Sequence, residues 1–229
     1  MKKMLFVFDI DGTICEIGKP VAPELANELK RLSSSHKVAI ASGKPFTYIT
    51  GLCRQLELTS ASVIGENGGA VSMDASFPPS GFRLAAVPHG HENDIESIKA
   101  AYRNEFGSRI WIQLNHLNVT FYPVNPEDIC ALHAFAPQFE TDFIKAYYHS
   151  DCLDFTPSHI NKGEGLKTLL KETGFSTDNT WVFGDGENDL EMFRTAGNSV
   201  CIGGNTKLKE AASHCVEDIA SLAPFLQRF

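Results

Sequence analysis

Apolar and polar positions alternate in blocks along the first third of the chain. Leu5-Phe6-Val7-Phe8 is an unbroken apolar run that stops at Asp9, as in a strand covered on both faces. From Pro23, leucines at 25, 29 and 32 recur at helical spacing, with the proline tolerated in the first turn. Val38-Ala39-Ile40-Ala41 reads as a second buried strand ending at Ser42-Gly43, and Pro45 opens a helix with Ile49, Leu52 and Leu56 on one face. Val63-Ile64 is a third short strand, ending in Gly65-Glu66-Asn67-Gly68-Gly69. Strand–helix alternation of this kind predicts a parallel sheet with helices on its faces.

The pattern changes after about Phe77, where Pro78, Pro79 and Gly81 suggest a linker. A helix is predicted over 92–106, strands over 109–114 and 117–122, a second helix over 126–135, and strands over 143–149 and 152–155. Helix-strand-strand, twice over, predicts a small sheet with one open face. Arg109, Trp111 and Gln113 should share a face of one strand, Asn118, Thr120 and Tyr122 of the next, and Lys145, Tyr147 and His149 of a third, as candidates to line a substrate cleft. The first pattern then resumes: a helix over 162–172 with Leu166, Leu169 and Leu170 as its stripe, a strand at Thr180-Trp181-Val182-Phe183, another helix, a short strand at Val200-Cys201-Ile202 and a last helix over 220–226. The reading is an α/β core of residues 1–79 and 157–229, with a smaller α+β domain inserted over roughly residues 80–156.

Composition narrows the function. The 229 residues carry 43% hydrophobic and 21% charged side chains, which fits a globular chain. A net charge of −8, from 20 basic and 28 acidic residues, disfavours a general nucleic-acid binder. The apolar run behind Met1-Lys2-Lys3 is too short for a signal-peptide core, and no stretch reaches the ~18 apolar residues of a membrane span. Six scattered cysteines without a C-x-x-C pair read as small buried thiols in a reducing cytoplasm, not as a zinc motif. His89-Gly90-His91 reads as a polar loop, not a metal pair.

The candidate chemistry sits where core strands end or core helices begin, the edge at which open α/β sheets bind ligands. Asp9-Ile10-Asp11-Gly12-Thr13 follows the first strand, Ser42-Gly43-Lys44 the second, and Gly184-Asp185-Gly186-Glu187-Asn188-Asp189 a later one, while Lys162 opens a late helix. Carboxylates gathered this way repel one another unless a hard cation joins them, and magnesium takes carboxylate and phosphate oxygens. Ser42, backbone amides and Lys162 supply donors for phosphate oxygens. A cation, such donors and a carboxylate nucleophile suit phosphoryl transfer.

These motifs resemble, in order, those of the haloacid dehalogenase superfamily of phosphotransferases. The matching residues are Asp9-Ile10-Asp11-Gly12-Thr13, Ser42, Lys162 within Asn161-Lys162-Gly163, and Asp185 with Asn188-Asp189. The insert between the second and third, with Glu66-Asn67-Gly68-Gly69 before it, resembles the branch with an α/β cap that includes Cof-like sugar phosphatases, sucrose-phosphate phosphatases and archaeal-type phosphoglycolate phosphatases. The resemblance implies a Rossmann-like core and a cap, with Asp9 as nucleophile, Asp11 as general acid and base, and Lys162 as the third catalytic residue. It implies magnesium held by Asp9, Asp11 through its backbone carbonyl, and Asp185, with Asp189 in support. It implies substrate binding by Thr13 (which orients the loop), Ser42, Gly43 and Asn188. The partner is then a small-molecule phosphate ester, with neither nucleic acid nor membrane. Many capped relatives carry Arg where this chain has Lys44; phosphoglycolate-type relatives often lack it. A phosphomutase acting on a hexose phosphate, or a binding protein that kept the fold without turnover, are the competing readings.

Overall fold

The computed structural model describes residues 3–58, 60–76 and 78–229. In chain order the elements are β1 (Leu5–Phe8), α1 (Pro23–Ser35), β2 (Lys37–Ala41), α2 (Phe46–Gln55), β3 (Ser62–Gly65), β4 (Ala70–Ser72), β5 (Arg83–Leu84), α3 (His91–Phe106), β6 (Ile110–Gln113), β7 (Val119–Pro123), α4 (Ile129–Phe135), β8 (Ile144–Tyr148), β9 (Leu153–Pro157), α5 (Lys162–Thr173), β10 (Thr180–Gly184), α6 (Leu190–Thr195), β11 (Asn198–Ile202), α7 (Thr206–Ala211), β12 (His214–Val216) and α8 (Leu222–Leu226). The chain forms two compact units, residues 1–83 with 161–229, and residues 84–160. Among the described residues, no helix is long and apolar enough to cross a membrane.

The larger unit is built on a sheet of order β12-β11-β10-β1-β2-β3-β4-β5. Its strands from β12 to β3 run parallel, and β4 turns back antiparallel on β3. Strand β1 is fully buried, and its alternate residues feed two cores. Phe6 and Phe8 join the leucines of α1 on one face, whereas Leu5 and Val7 join Leu166 and Leu169 of α5 on the other. Phe8 stacks on Phe183 of β10 at 4.4 Å between ring centroids, which locks the two strands that carry most of the acidic loops. Pro23 opens α1 as expected. On α2, Ile49 and Cys53 are the buried face, while Leu52 and Leu56 only pack against it. Four elements were not expected: β4, β5, α7 and β12. Phe77, after which the pattern was expected to change, lies outside the described residues. Pro78, Pro79 and Gly81 belong to the larger unit, where Asp74 and Ser80 form a β-bridge.

The smaller unit is an antiparallel sheet of order β6-β7-β9-β8, with α3 and α4 on one face. Tyr102 of α3 anchors that face. Its ring stacks on Phe121 at 4.0 Å, and its hydroxyl donates to the Leu132 carbonyl at 3.1 Å. Phe121, Leu153 and Phe155 point to this apolar side. Strand alternation therefore sends Trp111, Gln113, Thr120, Tyr122, Asp154, Thr156, Lys145 and Tyr147 to the other side. Arg109 does not join Trp111 and Gln113. It sits in a turn before β6, paired with Asp128 at 3.2 Å and over the Phe106 ring. His91 opens α3 as a buried residue, with Nε2 at 2.6 Å from the Leu117 carbonyl.

Candidate active site

Strand register assembles the acidic loops. Phe8 lies opposite Phe183 in the parallel β1–β10 pair, so Asp9 and Asp185 leave the same edge of the sheet side by side. Asp9 is buried, and its N–H donates to the Phe183 carbonyl at 3.0 Å. The turn behind it needs Gly12, whose φ is +86°; a Cβ there would lie 2.1 Å from Asp185 Oδ2. Thr13, fully buried, donates its hydroxyl to Asp185 Oδ1 at 2.8 Å. This hydroxyl orients an acidic neighbour, where the resemblance put Thr13 among the substrate-binding residues.

Lys162 is the first residue of α5, and its side chain is fully buried. Asn161 caps the helix by accepting from Glu164 N–H at 3.0 Å. Gly163 lets α5 approach α6, since a Cβ would stand 2.6 Å from the Glu191 carbonyl. The ammonium donates to Asp9 Oδ1 and Asp189 Oδ1, both at 2.6 Å. Asp189 uses its other oxygen to accept from the N–H groups of Asp185 and Gly186, each at 3.1 Å. Its two oxygens thus brace the lysine and the β10 loop.

The electrostatics follow from burial. The Asp9 carboxyl is pushed up to about 8, first by burial and then by the charges of Asp189 and Asp185, against the opposing ammonium of Lys162. Asp185 also shifts up, by burial and by Asp189, with the Thr13 hydroxyl pulling the other way. For Lys162, burial disfavours the charge, but Asp189 and Asp9 outweigh it and the pKa rises. Asp9, Asp185 and Asp189 each offer an oxygen within 4.8 Å of the others. Carboxyls gathered this closely favour a shared proton or cation. An all-oxygen set of this kind fits a hard divalent ion. The nearby thiol of Cys15 is pushed up to about 11, by burial and by Asp11 and Asp9.

Asp11 stands apart from the three-carboxylate cluster, with Lys44 Nζ 3.4 Å from its Oδ2. Ser42 follows β2, buried, with its N–H on the Ile64 carbonyl at 2.8 Å and its Oγ accepting from the Lys44 N–H at 3.2 Å. Accepting there leaves the hydroxyl proton to donate elsewhere. The loop after β3 supports this corner. Glu66 and Asn67 both take left-handed backbone, φ 54° and 53°, and their N–H groups donate to the carbonyls of Lys44 and Ser42 at 3.0 Å. Gly43 follows Ser42, and Asn188 is half-buried in the turn after β10, both outside the Asp9–Lys162–Asp189–Asp185–Thr13 contact chain. Two features went unread in the sequence: the Asp11–Lys44 pair and the strained Glu66-Asn67 corner. Two non-glycine residues ahead of a Gly-Gly pair were the available signal for the corner.

A parallel α/β core whose strand edge gathers carboxylates around one buried ammonium defines the class of protein. The chain belongs to the haloacid dehalogenase-like hydrolase family, whose model matches residues 6–78 and 90–221. It is 28% identical over 222 residues to a phosphoglycolate phosphatase of Methanosarcina acetivorans, covering 95% of this chain and 91% of the relative. It is 23% identical to the 5-amino-6-(5-phospho-D-ribitylamino)uracil phosphatase of Bacillus subtilis, over 100% and 98% of the two chains. A solved haloacid dehalogenase-like hydrolase from Bacteroides thetaiotaomicron has the same fold, with a TM-score of 0.79 over 99% of both chains at 18% identity.

Proposed function

We propose that this chain is a magnesium-dependent phosphatase that hydrolyses a small phosphorylated metabolite through an aspartyl phosphate on Asp9. The observation that carries this reading is the buried Lys162 ammonium at 2.6 Å from both Asp9 and Asp189, with Asp9, Asp185 and Asp189 each offering an oxygen within 4.8 Å of the others. Magnesium, held by Asp9, Asp185 and the Asp11 carbonyl, would neutralise charge on the phosphoryl oxygens.

An Asp9 oxygen attacks phosphorus and the bond to the leaving oxygen breaks. The Asp11 carboxyl gives that oxygen its proton, so an alcohol departs. Water then attacks the same phosphorus and loses a proton to Asp11; the bond to Asp9 breaks, freeing inorganic phosphate and the carboxylate. Lys162 holds Asp9 in position, and the Ser42 hydroxyl and the Gly43 amide face the phosphoryl oxygens. Asn188 assists there. The smaller unit serves as the substrate-selecting cap. Lys44 instead of arginine, together with the likeness to the Methanosarcina acetivorans phosphoglycolate phosphatase, favours phosphoglycolate over hexose phosphates, because an ammonium cannot give the bidentate grip of a guanidinium. A cytoplasmic setting belongs to the same reading, since it suits six cysteines without a C-x-x-C pair.

The test is phosphate release from phosphoglycolate, sucrose phosphate and hexose phosphates, with magnesium and with chelator. Turnover that needs the cation and is fastest on phosphoglycolate is expected. Isomerised hexose phosphate without free phosphate would point to a mutase. No release from any ester with magnesium or manganese would leave a non-catalytic binding protein.

A further inference from the structure

The sequence gives no cysteine-pair motif, yet the hairpin joining β8 to β9 places three metal-binding side chains together. His149 N–H donates to the Cys152 carbonyl at 3.0 Å, which makes the two residues direct cross-strand neighbours. Leu153 points to the apolar core of the smaller unit, so Cys152 and Asp154, on either side of it, point to the opposite face. The register puts Tyr148 across from Leu153, which brings His149 to that face as well. His149, Cys152 and Asp154 each offer one ligand atom within 4.8 Å of the others, with Cys152 and Asp154 buried and His149 half-buried. Nε2 of His133 approaches the Cys152 carbonyl at 3.2 Å and ties α4 to the hairpin.

We propose that His149, Cys152 and Asp154 form a second metal site, one that takes a borderline transition-metal dication such as zinc, cobalt or ferrous iron. The donor set argues for this class. A thiolate and an imidazole with one carboxylate select such ions, whereas magnesium takes oxygen alone. The spacing agrees. His149 Nε2 and Asp154 Oδ2 lie 3.4 Å apart, longer than a good charge-assisted hydrogen bond. Two ligands on a tetrahedral ion with bonds of about 2.1 Å lie about 3.4 Å from each other. Three protein ligands leave one position open for water or an anion. Binding would release the thiol proton to solvent and form the metal–sulfur bond without any oxidant. The site lies wholly within residues 84–160 and does not depend on the carboxylate cluster around Asp9.

The experiment uses the reduced full-length protein with cobalt as the probe, in excess magnesium to occupy the hard site. A saturable, one-to-one rise in thiolate-to-cobalt charge-transfer absorption is expected. It should vanish in Cys152→Ser, weaken at least about tenfold in His149→Ala, since even outer-shell partners cost 10–100-fold, and persist in Asp9→Asn. Near-ultraviolet circular dichroism checks the fold. If Cys152→Ser does not fold, the half-exposed His149→Gln decides on its own. Absence of the sulfur band in the wild type, or its survival in Cys152→Ser, would overturn the proposal. An unchanged affinity in the histidine variant would do so equally.

Discussion

Replacing Lys162 with methionine tests the electrostatic centre most severely, because the substitution keeps much of the side chain's length and removes only the charge. The ammonium is fully buried and 2.6 Å from two carboxylates. At an effective dielectric of about 20, its contact with an ionised carboxylate is a gross attraction of roughly 6 kcal/mol. Desolvation offsets several kcal/mol of that for each ion, so the net loss on breaking a buried pair falls to about 3–5 kcal/mol. In a domain of this size, that lowers the melting temperature by roughly 6–20 °C. The excess charge left on Asp189 is the cause, so adding Asp189→Asn to Lys162→Met should recover part of the loss, with a coupling of about 1–3 kcal/mol. Thermal melts followed by circular dichroism supply all four corners of the cycle. A Lys162→Met protein that melts within about 2 °C of wild type, or a double variant with strictly additive losses, would refute the argument.

Three further outcomes follow from single contacts. Gly12→Ala drives a Cβ to 2.1 Å from Asp185 Oδ2 in a backbone with φ +86°, so kcat should fall by at least about 10²-fold, as ångström-scale misplacement does; wild-type turnover would contradict the close approach. Thr13→Val removes the hydroxyl that orients Asp185, so the magnesium concentration for half-maximal activity should rise by about 10–100-fold while Thr13→Ser restores it. His36, held below its ordinary 6.5 by burial and by Arg31, takes up a proton less readily in the fold than in the unfolded chain. Its contribution is therefore complete above 6.5 and is lost as pH falls below it, with a slope of up to about 1.4 kcal/mol per pH unit. Urea midpoints of His36→Phe should show a flatter acid limb than wild type, and parallel limbs would disprove the assignment.

What the chain made legible was set by burial and turn chemistry. Strands such as Leu5–Phe8 and Thr180–Gly184 are covered on both faces, so they appear as apolar runs, and their ends carry the acidic loops. Residues Asp9, Lys162, Asp185 and Asp189 could be grouped because each follows a strand or opens a helix on one edge. Strands β4, β5 and β12 escaped because two or three residues are too few for any period to show. Arg109 was misplaced because the turn that Gly107 starts runs through Arg109, up to the first residue of the strand, and swings the guanidinium toward Asp128. The Asp11–Lys44 pair depends on how β1 and β2 end side by side, and the His149–Cys152–Asp154 cluster on hairpin register; neither is written in local spacing.

The claim that everything else serves is that Asp9 itself becomes phosphorylated. Enzyme mixed with a hydrolysable phosphate ester and magnesium, quenched in acid within one turnover and reduced with borohydride, should yield a peptide converted to homoserine at position 9 when read by mass spectrometry. Asp9→Asn should give no such product and no phosphate release. Conversion at any other residue, or steady phosphate release by the Asp9→Asn protein, would contradict the account.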